Sequence, residues 1–187
     1  GVYFRLMNKF KVLTSKSYGF LTIVDNNDPN AVPDLNLQKR LGIDENFDLS
    51  YEAEKVQLTL FNDLQWNRYR YDDDTYNSSP LYNSLGISVR LKLSPLEMYI
   101  RLSDDFRKGY ATSEMNGHKL MSMASISYGF CKNKCRLSLF VDDIFNNDIW
   151  YDNNYSAFQR TETTTNYRHH YANLTFSYRF DAKAKKK

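Results

Sequence analysis

The sequence predicts an all-β chain of antiparallel, up-and-down transmembrane β-barrel strands, about eight of them. Three observations predict it. The stretch Tyr167 to Phe180 (YRHHYANLTFSYRF) alternates apolar and polar side chains and ends on an aromatic. The same alternation recurs along the chain in runs long enough to cross a bilayer. The connections between these runs are short and long by turns.

In the final run Ala172, Leu174, Phe176, Tyr178 and Phe180 point one way and Asn173, Thr175, Ser177 and Arg179 the other, because successive side chains alternate across a strand. One such strand would also fit a soluble sheet, so the repetition decides. Period-two stretches fall at about 10 to 25, 41 to 53, 55 to 71, 81 to 93, 96 to 110, 118 to 130, 135 to 145 and 167 to 180, with part of an earlier strand in Val2 to Met7. Their apolar faces are expected to meet lipid: Val56, Leu58 and Leu60, then Leu85, Ile87, Val89, Leu91 and Leu93, then Met98, Ile100 and Leu102, then Leu137 and Leu139, and last Leu174, Phe176 and Phe180. The opposite faces, with Asp63 and Gln65, Ser88, Arg90 and Lys92, and Glu97, Tyr99, Arg101 and Ser103, are expected to line a polar lumen and to pair across strands.

Connections at Asn8-Lys9, Ala53-Glu54-Lys55, Ser94-Pro95 and Lys132-Asn133-Lys134 read as tight turns, whereas 25 to 40, 72 to 80, 111 to 117 and 146 to 166 read as long polar loops. Counted back from Phe180, every short turn falls at one end and every long loop at the other, the asymmetry of an outer-membrane barrel. Pro29, Pro33, Pro80 and Pro95 all fall in connections, where no ladder hydrogen bond is lost. The run from Val56 to Trp66, at about 3.3 Å per residue and a tilt near 45°, covers roughly the 25 Å apolar band of such a barrel.

No stretch reaches the roughly 18 uninterrupted apolar residues of a membrane helix, and the mean hydropathy is negative. Barrel strands are compatible with both, since only alternate residues meet lipid. Aromatics make up 16% of the chain, with fifteen Tyr, and rings with a polar tip collect where lipid meets water. The net charge of +3 owes much to the tail lysines 183, 185, 186 and 187, and nothing points to nucleic acid. Cys131 and Cys135 flank a tight turn. They would form a disulfide in an oxidising compartment, free thiols being the alternative, and a metal site would need two further ligands that the neighbourhood lacks.

The strand Leu137 to Val141 followed by Asp143-Ile144-Phe145-Asn146-Asn147, a long loop and a final strand ending Ser177-Tyr178-Arg179-Phe180 resembles the carboxyl end of TonB-dependent receptors, in particular the outer-membrane β-barrel family of Bacteroidota. The resemblance implies a place in the cell outer membrane and a role in nutrient uptake, with the chain as the C-terminal portion of a barrel of about 22 strands. Residues 1–180 would then be the outer-membrane barrel segment and 181–187 a basic periplasmic tail, a departure from barrels that stop at or near the terminal Phe. The implied partners are outer-membrane lipid, the barrel-assembly machinery, the TonB complex acting through a plug domain that these residues do not contain, and a capping surface lipoprotein.

Chemistry-bearing clusters are sparse. Adjacent His169 and His170 would point to opposite faces of a strand, and Asp72-Asp73-Asp74 lacks the ligand spacing of a calcium loop, so no metal or cofactor is expected. No nucleophile elbow, phosphate-cradling loop or metalloprotease helix occurs, and Ser156, His118 and His170 have no supporting spacing, so no enzyme is expected. The loop around Trp150, Tyr151, Asp152 and Tyr155 is the candidate for ligand contact, because rings beside Asn and Asp suit sugars and other polar ligands with flat apolar faces. Anchoring at the lipid boundary is the other reading of those rings. Against the receptor stand two alternatives: a self-contained eight-stranded structural barrel, and a soluble carbohydrate-binding β-sandwich.

Overall fold

A computed structural model of the chain describes residues 1–21, 34–72, 74–132, 134–146, 150–157, 159–165 and 170–180. The elements are β1 (Tyr3–Leu21), β2 (Asp34–Glu52), β3 (Val56–Arg70), β4 (Leu81–Leu93), β5 (Leu96–Lys108), β6 (Gly117–Phe130), β7 (Cys135–Asp142), β8 (Trp150–Tyr155), β9 (Arg160–Thr165) and β10 (Tyr171–Tyr178). Single 3₁₀ turns occupy Asp74–Tyr76 and Ser113–Met115. Eight strands form one antiparallel sheet in the order β1-β2-β3-β4-β5-β6-β7-β10, and β8 and β9 pair as a separate hairpin.

The sheet is open. Its edges are β1 and β10, at opposite ends of the strand order, so the closed eight-stranded alternative lacks the β1 to β10 pairing it requires.

Three expectations are corrected. Asn8 and Lys9 are not a turn: they sit inside β1 opposite Phe47 and Asn46, and Asn8 Nδ2 donates to Glu45 Oε1 at 3.2 Å. The second strand begins at Asp34 rather than about 41, because Leu35, Leu37 and Leu41 alternate with Asn36, Gln38 and Arg40 and continue the ladder. The loop expected at 146 to 166 contains the β8–β9 hairpin. The tail 181–187, Pro29, Pro33, Asp73 and His169 lie outside the described residues.

The register stacks the apolar residues into rungs. Val56, Leu91, Met98, Ile126, Leu139 and Leu174 are successive partners across β3, β4, β5, β6, β7 and β10. One rung over, Tyr51, Leu58, Val89, Ile100, Ala124, Val141 and Ala172 run from β2 to β10. Directly opposed residues share a face, so these rungs make one continuous apolar surface. It is uncovered: Ile87 is 45% exposed, Ile100 43%, Leu174 67% and Phe176 61%. Rings gather at the short-turn end, where Phe4 meets Tyr51 at 5.3 Å, Phe130 meets Phe176 at 6.3 Å and Tyr178 meets Phe180 at 4.5 Å.

The other face inverts the usual rule. Asn36, Gln38, Ser84, Ser103 and Asp105 on it are all buried. Polar groups so placed need partners: Ser84 Oγ donates to Asp105 Oδ1 at 2.7 Å, Gln38 Nε2 to the Tyr71 hydroxyl at 2.8 Å and Asn36 Nδ2 to the Ala157 carbonyl at 2.7 Å, while less buried pairs cross the strands beside them, Asn46 Nδ2 to Asp63 Oδ1 at 2.6 Å, Ser50 to Thr59 at 3.0 Å and Ser127 to Ser138 at 2.9 Å. Arg90, Glu97, Tyr99 and Arg101 lie on this face. The Arg90 guanidinium is 3.8 Å from Glu97 and covers the Tyr99 ring, while that of Arg101 stacks 3.8 Å from the Phe61 centroid.

Phe61 lies flat against the sheet because residue 86 has no side chain. A Cβ there would stand 2.3 Å from Phe61 Cζ and 2.4 Å from the Leu102 carbonyl oxygen. Gly86→Ala is therefore expected to destabilise the sheet by about 1–3 kcal/mol through overpacking. Gly42→Ala should cost less, because its nearest neighbour is the flexible amide end of Asn67 at 2.8 Å. Denaturant midpoints of the two variants check the contrast, and equal midpoints would refute it.

Candidate functional site at the β8–β9 hairpin

At the long-loop end, the β8–β9 hairpin lies against the polar face. Tyr155 on β8 stacks on Tyr69 of β3, with centroids 4.6 Å apart and planes 21° from parallel. Asn36 Nδ2 on β2 donates to the Ala157 carbonyl at 2.7 Å. The Tyr151 ring sits under two cations, Arg107 of β5 at 4.4 Å and Lys119 of β6 at 4.1 Å, and its hydroxyl donates to the Glu114 carbonyl at 3.0 Å. Aromatic faces are electron-rich, so each such cation stabilises the docked ring.

Glu162 is the centre of this clasp, with its side chain 4% exposed. Its carboxylate accepts from the Tyr155 hydroxyl, from Arg160 Nη2 at 2.8 Å and from the Thr112 amide at 2.7 Å. Burial alone would raise its pKa. The hydrogen bonds from Tyr155, the Thr112 amide, Arg160 and the Ala111 amide outweigh burial and hold it at about 2. Burial and the bond to Glu162 push the Tyr155 hydroxyl well above its ordinary value. Burial likewise raises Tyr71, against the Gln38 amide that donates to its oxygen at 2.8 Å.

Beside the clasp, Asn36, Tyr71, Tyr76, Ser156, Ala157, Gln159 and Arg160 line a cleft of about 300 Å³. Tyr71 and Tyr76 meet edge to face at 6.4 Å. Two rings, an amide and a guanidinium suit a flat, polar ligand that presents hydrogen-bond acceptors.

Of the residues singled out from sequence, Tyr151 and Tyr155 are turned onto the sheet, where they dock the hairpin. Asp152 is exposed, and Trp150 contributes its backbone to β8, its side chain lying outside what is described. The sequence reading missed Glu162, Arg160, Tyr71 and Tyr76. Glu162 stands in a polar run (RTETTT), and its partner amide at Thr112 is fifty residues away in sequence, so no local pattern marks it.

Elsewhere, Cys131 and Cys135 are free thiols at the β6–β7 turn, in hydrogen-bonding contact with each other. His170 Nδ1 is 2.8 Å from the Asp143 carbonyl oxygen, and His118 Nδ1 is 2.7 Å from Asp104 Oδ2. Among the described residues no group of three or more His, Cys, Asp or Glu is placed to hold a metal ion. Compared with protein-family models, curated proteins and solved structures, the chain finds no match in any of the three.

The depressed Glu162 pKa fixes a sign. Its contribution to hairpin docking is complete above the ordinary carboxyl value of 4.5 and is lost as pH falls toward 2. The shift corresponds to roughly 3 kcal/mol. Hydrogen exchange of the amides in 150–165, corrected for intrinsic rates, should therefore lose protection across that window in the native chain. In Glu162→Gln the protection should be lower at neutral pH and flat across it; an unchanged pH profile in that variant would contradict the clasp. Tyr155→Phe, which removes one of the hydrogen bonds, is expected to cost about 1–2 kcal/mol in the same measurement.

Proposed function

We propose that this chain forms the C-terminal strands of an outer-membrane β-barrel of the TonB-dependent receptor type, which admits a nutrient across the cell outer membrane. The observation that carries the reading is the inversion of the sheet. Large apolar side chains stand exposed in continuous rungs on one face, while Asn, Gln, Ser and Asp are buried on the other. In water such a sheet would be expected to bury its apolar face under a second layer. The hairpin of β8 and β9, the other sheet among the described residues, lies instead against the polar face.

In this reading the apolar face, with Val89, Leu91, Ile100, Leu139, Leu174 and Phe176, meets lipid, and the face carrying Arg90, Glu97, Tyr99 and Arg101 lines the lumen. The open edges of β1 and β10 are where further barrel strands would pair, since an unpaired edge exposes backbone groups that a membrane cannot satisfy. The barrel-assembly machinery would receive the closing strand β10. The TonB complex would act through a plug domain outside these residues, and the hairpin with its cleft would reach into the mouth to meet the ligand.

The membrane part is tested by a pair of adjacent substitutions on β4. Val89→Arg is expected to cost about 2–4 kcal/mol of unfolding free energy from phospholipid bilayers, the depth-dependent penalty of a charge at the midplane. Ser88→Arg, on the opposite face, should cost far less. Equal costs would overturn the lipid-facing assignment. The receptor part is tested by reading the coding sequence upstream of Gly1. A frame continuing into more alternating strands and a plug is the expected result, and a nearby start codon with only a signal peptide between it and Gly1 would contradict it.

A further inference from the structure

The apolar face has an upper border, and that border is basic. On β3 the outward series Leu58, Leu60, Asn62, Leu64 and Trp66 gives way to Arg68 and Arg70. On β2, read in the same direction, Leu49, Phe47, Glu45, Ile43 and Leu41 are followed by Lys39. On β1, Lys16 stands two outward positions beyond Val12, and on β5 Lys108 follows Phe106. All five cations are exposed, and none makes an ion pair with another described residue. The border steps down from β3 to β5, because Trp66, which lies below Arg68, is level with Leu81, and Leu81 is directly opposite Lys108.

Three of these cations share one rung. Lys16 is directly opposite Lys39, and Lys39 directly opposite Arg70. Like charges placed directly across antiparallel strands repel and destabilise the pairing. Asp72, two residues beyond the end of β3, accepts from the Leu37 amide at 3.0 Å. An external anion held between the three would remove the repulsion. Arg68 lies immediately below on β3, and below it Trp66, whose indole N–H donates to Ser79 Oγ at 2.9 Å, as an interfacial tryptophan keeps its polar edge toward water.

We propose that Lys16, Lys39 and Arg70, with Arg68 beneath them, form a binding site on the outside of the barrel wall for the phosphate groups of a phosphorylated glycolipid in the outer leaflet. The inference rests on the membrane reading above. Apolar rungs hold the acyl chains, and the cations stand at the height where headgroup phosphates begin. Arg68 and Arg70 can each offer paired N–H donors to a phosphate, and the lysines supply point charge.

The test is flotation of the full chain with three vesicle preparations: neutral phosphatidylcholine alone, and the same lipid doped with either diphosphoryl lipid A or its dephosphorylated form. The chain is expected to float with all three and to bind the diphosphoryl vesicles at least tenfold more tightly, at about fivefold per surface cation. Lys16→Gln/Lys39→Gln/Arg70→Gln should keep the neutral binding and lose most of that gain. Lys9→Gln/Lys11→Gln/Lys92→Gln, which removes the same charge from the polar face, should retain it. Equal binding to phosphorylated and dephosphorylated vesicles, or equal loss in both triple variants, would overturn the site while leaving the lipid-facing assignment standing. Failure to float with any vesicle would overturn the membrane reading and this site with it.

Discussion

The structure depends on the backbone ladder that joins eight strands edge to edge. A strand satisfies its N–H and C=O groups only through its neighbours, and here the ladder runs without a crossover from β1 to β7 and on to β10. Because the side-chain period is two, that ladder also fixes which face each residue occupies, and a slip by one residue would send every leucine to the other side. The apolar rungs, the buried polar pairs and the basic border are all consequences of this one register.

The second constraint is what each face can tolerate. Buried Ser84 and Asp105 are stable because they bond each other across β4 and β5, and Tyr82 adds a further bond to Asp105 at 3.1 Å. Two of the polar exceptions on the apolar face are paired as well: Asn8 with Glu45, and His118 with Asp104. The hairpin obeys the same rule, since it brings a carboxylate against the sheet only with three donors around it. Docked in that way, the hairpin gives the polar face a cleft in which two aromatic rings meet an arginine and an amide.

The central strands were legible in the sequence because their alternation is nearly unbroken. The stretch expected at 81 to 93 is β4 residue for residue, and those at 55 to 71, 96 to 110 and 118 to 130 differ from β3, β5 and β6 by no more than two residues at either end. Departures came where local pattern and long-range pairing disagree. Asn8-Lys9 reads as a turn by composition, but a ladder to Phe47 and Asn46 carries the strand through it. The β8–β9 hairpin mixes a few aromatic rings into a mostly polar stretch, and what holds it, the Tyr69 stack and the Thr112 amide, comes from distant parts of the chain. Alternation encodes a half-buried strand; it does not encode where a polar loop will fold back.

In the proposed barrel one face of this sheet meets hydrocarbon and the other meets water. This is tested most directly by a spin-label scan of β4 from Ser84 to Leu93 in vesicles, in a chain whose two cysteines are replaced by serine. A period of two is expected. Labels at 85, 87, 89 and 91 should collide with oxygen dissolved in the bilayer, and labels at 84, 88, 90 and 92 with a water-soluble nickel chelate. Labels at 85 to 91 that are shielded from both probes would mean a second sheet covers the apolar face, and labels reached by the chelate at every position would mean the strand lies in water; either result would contradict the account.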